Sequence, residues 1–374
     1  MVPTRWTIPF LNRHRHQTDP AADDVISAVF LEHGVGKLNG ILRSLVENDG
    51  FIPEHLPSAV HDFLEKTAAL PEWADPDLIL KGEDFFDRHW PLVITFLFCA
   101  SLPNAYAAHR GAQVLALTAR LETHVERRIF ETAQFVLDVM APGGLSGSGR
   151  GIRSAQKVRL MHATIRHLIL NEEKWRRHWD MEWGNPINQE DLAGTLMTFS
   201  VQILDGFRRF NVPVSTDEQE AYLHVWKVIG HQMGVHPDLL PVDVADGYTL
   251  AYAILDHQKG PSEAGSALAA ALVHFMRQKM PLRLLRGLPA TLIRRCVDPD
   301  IADMLEIPPA DWTRILVTLG AGTAGMLERL GLRRRRVNLL LDWISTSVIQ
   351  ALIDLDRGGE RTPFAIPESL RAPI

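Results

Sequence analysis

Six residues on two neighbouring segments have the types and spacing to hold a flat metal cofactor and to handle a small reactant. Arg128 and Thr132 are four apart, so on a helix they share a face and present a guanidinium beside a hydroxyl, with Glu131 next to that face. Arg159, His162 and Arg166 stand at i, i+3 and i+7, one helical stripe with an imidazole between two cations. Val158, Met161 and Ile165 flank the stripe with hydrocarbon. Haem requires an imidazole nitrogen for iron, apolar walls for the macrocycle and cations for two propionates. The spacing therefore makes His162 a candidate metal ligand and Arg159 or Arg166 a candidate propionate partner. Arg128 and Thr132 then supply hydrogen-bond donors on the opposite side of the cofactor. Plainer readings exist for the same residues. A histidine on a half-apolar helix face can be a satisfied core group, and the two arginines can pair with Glu172, Glu173 or acids elsewhere. The Thr132 hydroxyl can bond back into its own helix.

The elements that must position these residues are helical. From Val114 to Met140 the apolar residues recur at helical spacing, and Pro142-Gly143-Gly144 ends the run. Residues 141–151, rich in Gly and Ser, read as a flexible loop, short enough to return the chain antiparallel. One long helix is expected over 152–178. A further helix opens at Asn188 or Gln189 and runs to about Phe210, with Glu190 and Asp191 in its first turn. Another is capped by Ser215 or Thr216, the latter with Gln219 as a capping box. The pattern repeats over 262–280, 309–330 and 337–356. Trp175, Trp179 and Trp183 recur every four residues, which suits core or interface packing. Strand-like alternation is nearly absent. The fold class is therefore all-α, a multi-helix, globin-like arrangement. A polar N-terminal arm is expected over 1–25, a single domain over 26–356 and an extended tail over 357–374.

Composition excludes several classes. With 46% hydrophobic and 22% charged residues over 374 positions, the chain buries a large core and is not disordered. A net charge of −6 gives no basic footprint for nucleic acid, and the short run Arg333–Arg336 reads as a solvated helix end. Two cysteines, Cys99 and Cys296, exclude a disulfide scaffold, read as free thiols and fit a reducing, cytoplasmic setting. No signal-peptide pattern opens the sequence. The most apolar stretch, Pro91 to Ala108, is interrupted by Ser101, Pro103 and Asn104 and falls short of a membrane span, which leaves peripheral membrane contact open. No phosphate-binding glycine loop, nucleophile elbow, zincin signature or paired Glu-x-x-His motif is present.

At its candidate residues the sequence resembles the rubber-oxygenase catalytic-domain family, which includes bacterial latex-clearing proteins and a fungal oxygenase of mycophenolic acid synthesis. The likeness rests on Ser101-Leu-Pro-Asn-Ala-Tyr106, Arg128-Ile-Phe-Glu-Thr132, the segment from Val158 to His167, Asn185-Pro-Ile-Asn-Gln-Glu-Asp-Leu192, and His224-Val-Trp-Lys-Val-Ile-Gly230. It spans roughly residues 70–245. The resemblance implies haem b in an all-α, globin-like core. It implies His162 as proximal ligand supported by Arg159 and Arg166, with Arg128 and Thr132 by the distal pocket. It also implies molecular oxygen and an apolar, unsaturated small molecule as reactants. Latex-clearing proteins carry a lysine directly before the threonine, where this chain has Glu131. The glutamate they use as a base falls near Ala112 or Gln113, which are not acids. Glu131 is then the carboxylate available to act on an allylic proton. A small isoprenoid or lipid suits these differences better than polyisoprene. Phe135 and Phe199 are candidates to line a substrate channel. Two other readings compete: a haem-binding sensor or carrier without turnover, and a helical interaction protein with no cofactor.

Overall fold

The computed structural model of the chain describes residues 5–47, 56–119, 125–147, 149–280 and 282–318. Sixteen α-helices occur among them: α1 (Ile8–Arg15), α2 (Pro20–Glu47), α3 (Ser58–Lys66), α4 (Pro76–Phe96), α5 (Leu102–Ala107), α6 (Gly111–Ala119), α7 (Val125–Met140), α8 (Arg150–Asn171), α9 (Glu173–Arg176), α10 (Gln189–Phe199), α11 (Val201–Arg209), α12 (Thr216–Gln232), α13 (Val244–Gln258), α14 (Glu263–Gln278), α15 (Leu288–Cys296) and α16 (Pro299–Met304). No β-strand forms among the described residues; one isolated bridge joins Ala108 and Lys259. The fold is the expected all-α class. The helix read over 337–356, the run Arg333–Arg336 and the tail from 357 lie outside the described residues.

Two apolar cores form, and α8 contributes to both. Ile152, Ala155 and Val158 join the larger core, whereas Leu160, Ala163, Leu168 and Ile169 join a smaller one with α2, α3 and the indoles of Trp175 and Trp179. His162 lies on α8 between these sets. The segment Pro76–Ala107 runs as one helical stretch through α4, a π-helical turn at Leu97–Ser101 and α5. It is long and apolar enough to cross a bilayer, but 78% of its most apolar window is buried inside the protein, as befits a central packing helix. Cys99 and Cys296 are buried and free.

Several local expectations are corrected. The N-terminal stretch is not a polar arm: Trp6, just before α1, and Leu11 within it are buried, and Arg15 is 2% exposed. That Arg15 guanidinium reaches Glu190 and Asp191 at 3.1 Å each, a long-range pairing that local polarity cannot reveal. The helix expected to run from Asn188 to Phe210 breaks at Ser200, which is buried and holds φ −106° and ψ −93°. Its hydroxyl donates to the Leu196 carbonyl at 2.7 Å, a back-bond that bends the helix into α10 and α11. The helix from 150 ends at Asn171 rather than 178. The capping box before α12 is built by Ser215 and Glu218, one residue earlier than Thr216 and Gln219.

Residues 141–147 form a compact turn, and Gly151 at the start of α8 bonds back to it. Successive backbone bonds tie Gly144 to Ala141, Ser146 to Gly143, and Gly151 to Gly144. A Cβ at Gly151 would meet the Gly144 carbonyl oxygen at 2.7 Å and the Val139 Cα at 2.9 Å. Glycine here lets the start of α8 lie against the end of α7, which sets the spacing of the two site-bearing helices. Both neighbours are backbone atoms, so relief requires moving a helix. Gly151→Ala is expected to lower stability by about 1–3 kcal/mol, the usual cost of overpacking. Urea denaturation measures this, and an unchanged midpoint would contradict the close-packing account.

Candidate functional site

A cavity of about 310 Å³ opens among α5, α6, α7, α8, α10, α11 and α13. Its walls are largely hydrocarbon, from Leu102, Phe135, Val158, Met161, Phe199 and Ile254 among others. Arg128, Glu131, Thr132 and His162 all line this one space. Phe135 and Phe199 lie in the same lining.

His162 projects from the fourth turn of α8. It is half-buried by surface area, and the surface it exposes is cavity wall rather than outer surface. Its Nδ1 is buried with no hydrogen-bond partner. Burial, reinforced by the positive charges of Arg166 and Arg128, pushes its pKa down to about 3. The imidazole is therefore neutral across the physiological range, with a lone pair that no protein group uses. That is the protonation state a metal ligand requires. Apolar walls and an unpartnered neutral imidazole fit a haem at this place.

Across the same cavity, α7 supplies the polar groups. The Arg128 guanidinium donates to the Leu115 carbonyl at 2.9 Å and to Thr118 Oγ1 at 2.8 Å, so α6 fixes its orientation. Thr132 Oγ1 donates to the Arg128 carbonyl at 2.9 Å, the back-bond its type permits, and keeps lone pairs to accept from a ligand. Tyr106 also lines the cavity, its hydroxyl pushed up to about 12 by burial, with Arg128 working the other way.

Arg159 and Arg166 do not line the cavity. Arg159 grips Asp19, with Nη2 to Oδ1 at 2.8 Å, and Arg166 grips Asp23, with Nε to Oδ1 at 2.8 Å. Arg166 Nη1 also donates to the Ile187 carbonyl at 2.6 Å. Both guanidiniums are committed to carboxylates from the N-terminal segment, so they clamp α8 in place rather than reach into the space beside His162. The ion-pair reading of these arginines thus describes their contacts, with Asp19 and Asp23 as partners instead of Glu172 or Glu173.

Sequence reasoning missed a polar layer at the far side of the cavity. Asn104 donates to Gln202 Oε1 at 2.8 Å, and Gln258 donates to Asp191 Oδ1 at 3.1 Å; all four residues line the space. Asp191 also accepts from Arg15, yet burial still raises its pKa above the usual carboxylate value. Glu190 beside it is fully buried between Arg15 and His257, at 3.1 and 2.7 Å. Asn104 and Asp191 sit inside segments that carried the family likeness, whereas Gln202 and Gln258 stand in no recognisable pattern.

An all-α fold, a largely apolar cavity, one unpartnered imidazole and an Arg/Thr pair in the same lining define the site. The chain matches the family model described as "ER-bound oxygenase mpaB/B'/Rubber oxygenase, catalytic domain" over residues 90–327, and it belongs to that family. It is 26% identical over 291 residues to the rubber oxygenase of Streptomyces sp. (strain K30), covering 77% of this chain and 70% of that protein. Its fold is similar to a solved structure of latex clearing protein in the closed state, with a TM-score of 0.79, 23% identity and 94% of each chain covered.

The buried imidazole has a consequence for stability. Its pKa rises from about 3 in the folded chain to the ordinary 6.5 on unfolding. Between these values the unfolded state binds a proton that the folded state refuses, so stability falls as pH drops from 6.5, and above 6.5 the effect is absent. In cofactor-free protein, His162→Gln is expected to remove up to roughly 1.4 kcal/mol per pH unit of this acid-side slope. Urea midpoints measured for both proteins between pH 6.5 and 5 test it; parallel slopes would contradict the buried neutral state.

Proposed function

We propose that this protein is a haem-b-dependent oxygenase acting on an apolar, unsaturated small molecule of isoprenoid or lipid type. The observation that carries the reading is the neutral, unpartnered imidazole of His162 in a hydrocarbon-walled cavity shared with Arg128 and Thr132. Membership of an oxygenase family supports it. His162 is the residue that would hold the iron. Haem b, when bound, supplies redox-active iron that uses dioxygen to cleave a carbon–carbon double bond.

The chain's own residues have separate tasks. Arg128, fixed by Leu115 and Thr118, offers guanidinium N–H donors that orient the oxygen reactant, and Thr132 adds a hydroxyl beside it. Phe135, Phe199 and Met161 exclude water and take up the hydrocarbon of the substrate. Of the two carboxylates in the lining, Asp191 is tied to Arg15 and Gln258, and Glu131 is the one assigned to accept an allylic proton at a carboxylate oxygen. Arg159 and Arg166 hold the histidine helix through Asp19 and Asp23, a positioning role. A small cytoplasmic isoprenoid or lipid suits this carboxylate arrangement better than polymeric rubber.

The test is direct. Haem-loaded protein is incubated with a panel of unsaturated isoprenoids while oxygen uptake and carbonyl products are followed. Oxygen uptake matched by carbonyl ends is expected. Glu131→Gln should keep the haem spectrum and lose roughly 100-fold in turnover, the usual worth of a general base. Coloured protein that turns over no alkene would favour a haem sensor or carrier, and colourless protein would defeat both readings.

A further inference from the structure

A second cluster of metal-ligating side chains lies away from the cavity. His14 from the last turn of α1, and His236 and Asp238 from the short 3₁₀ turn Pro237–Leu239 and its cap, offer one ligand atom each, all within 4.8 Å of one another. We propose that these three residues form a site for a divalent transition cation of the Zn²⁺ type, bound by two imidazoles and one carboxylate with water in the open position.

Each ligand is presented in a usable state. His14 is buried at 3% exposure, and its Nδ1 donates to the Phe10 carbonyl at 2.9 Å. That bond sets the tautomer and leaves Nε2 with its lone pair, the arrangement metal-binding histidines use. His236 Nδ1 lies 3.7 Å from Asp238 Oδ2. Two ligands about 2.1 Å from one tetrahedral ion stand about 3.4 Å apart, so this pair is already near coordination spacing. His236 Nδ1 accepts a bond of 3.2 Å from the Asp238 backbone N–H, which a cation would replace at the cost of one neutral hydrogen bond. Asp238 and His236 are exposed and half-buried, so their side chains can close the remaining distance and a cation has a path in.

The two ligand-bearing segments are held in register independently of any ion. Gln189, 3% exposed, donates from Nε2 to the carbonyls of Thr18 and Gly234 at 2.8 and 2.9 Å. Its Oε1 accepts from the His236 backbone N–H at 2.7 Å. One buried amide thus ties the residues just after α1 to the turn that carries His236. Such preorganisation is what a metal site needs from its scaffold. Two neutral nitrogens and one carboxylate select Zn²⁺ or its transition-metal neighbours over Mg²⁺, which prefers an all-oxygen shell.

The experiment uses full-length, haem-loaded protein freed of any affinity tag and of adventitious metal. Zn²⁺ is titrated calorimetrically, and thermal unfolding is followed with and without it. The wild type should bind Zn²⁺ at this site and unfold at a higher temperature when it is present, because the ion binds the folded state. Asp238→Asn and His236→Asn change half-buried or exposed side chains, so the fold should persist. Each should bind Zn²⁺ at least tenfold more weakly and lose the thermal shift, while Mg²⁺ should give no shift in any of the proteins. Zn²⁺ affinity and thermal shift unchanged in both variants would overturn the site, as would a wild type that gives neither heat nor shift.

Discussion

A neutral imidazole held in hydrocarbon with no protein partner is the constraint on which the rest of the structure turns. Leaving a buried polar atom unpaired costs about 1–3 kcal/mol, and Nδ1 of His162 is in that position. No protein group hydrogen-bonds it, and the charges that act on the ring, Arg166 and Arg128, are positive and oppose protonation. Burial and like charge therefore act together to preserve a free lone pair, at the expense of the fold's own stability. A neutral ring with no protein partner, in the wall of a cavity, makes physical sense where an external electron-pair acceptor enters that cavity.

The surrounding helices serve that placement. The glycine turn between α7 and α8 permits backbone contact that no side chain would allow, and so fixes the distance between the Arg128/Thr132 face and the His162 face. The N-terminal segment secures the other side. Asp19 and Asp23 hold Arg159 and Arg166, which bracket His162 on its helix, and Arg15 pairs with buried Glu190 and with Asp191 of the cavity lining. Ion pairs this buried are costly to desolvate and contribute little net stability, but removing one partner strands a charge. Their use here is geometric: they lock the histidine helix against α2 and keep both arginines out of the cavity, whose walls are largely hydrocarbon.

The all-α class and the shared surroundings of Arg128, Glu131, Thr132 and His162 were legible in the sequence because helical spacing puts Arg128 and Thr132 on one face, and the short Gly/Ser-rich connection brings the His162 helix back beside it. The likeness carried by the segments at 101–106, 128–132 and 158–167 added the family, which the comparisons bear out. Spacing could not reveal what depends on contacts distant in sequence. Arg159 and Arg166 sat on the right stripe, yet their partners lie about 140 residues earlier, in a stretch whose polarity suggested an arm. The same distance hid the burial of Arg15. Gln202 and Gln258 line the cavity only because α11 and α13 fold across it. The Ser200 break escaped a periodicity reading because one side-chain back-bond, not the hydrophobic pattern, produces it.

The most direct test of His162 as the iron ligand is a haem titration of wild-type protein and of His162→Gly with and without free imidazole, followed by absorption spectroscopy. The account predicts that the glycine variant loses the wild-type spectrum and that imidazole, diffusing into the space vacated beside α8, restores it. A glycine variant that binds haem with the wild-type spectrum and no response to imidazole would contradict it.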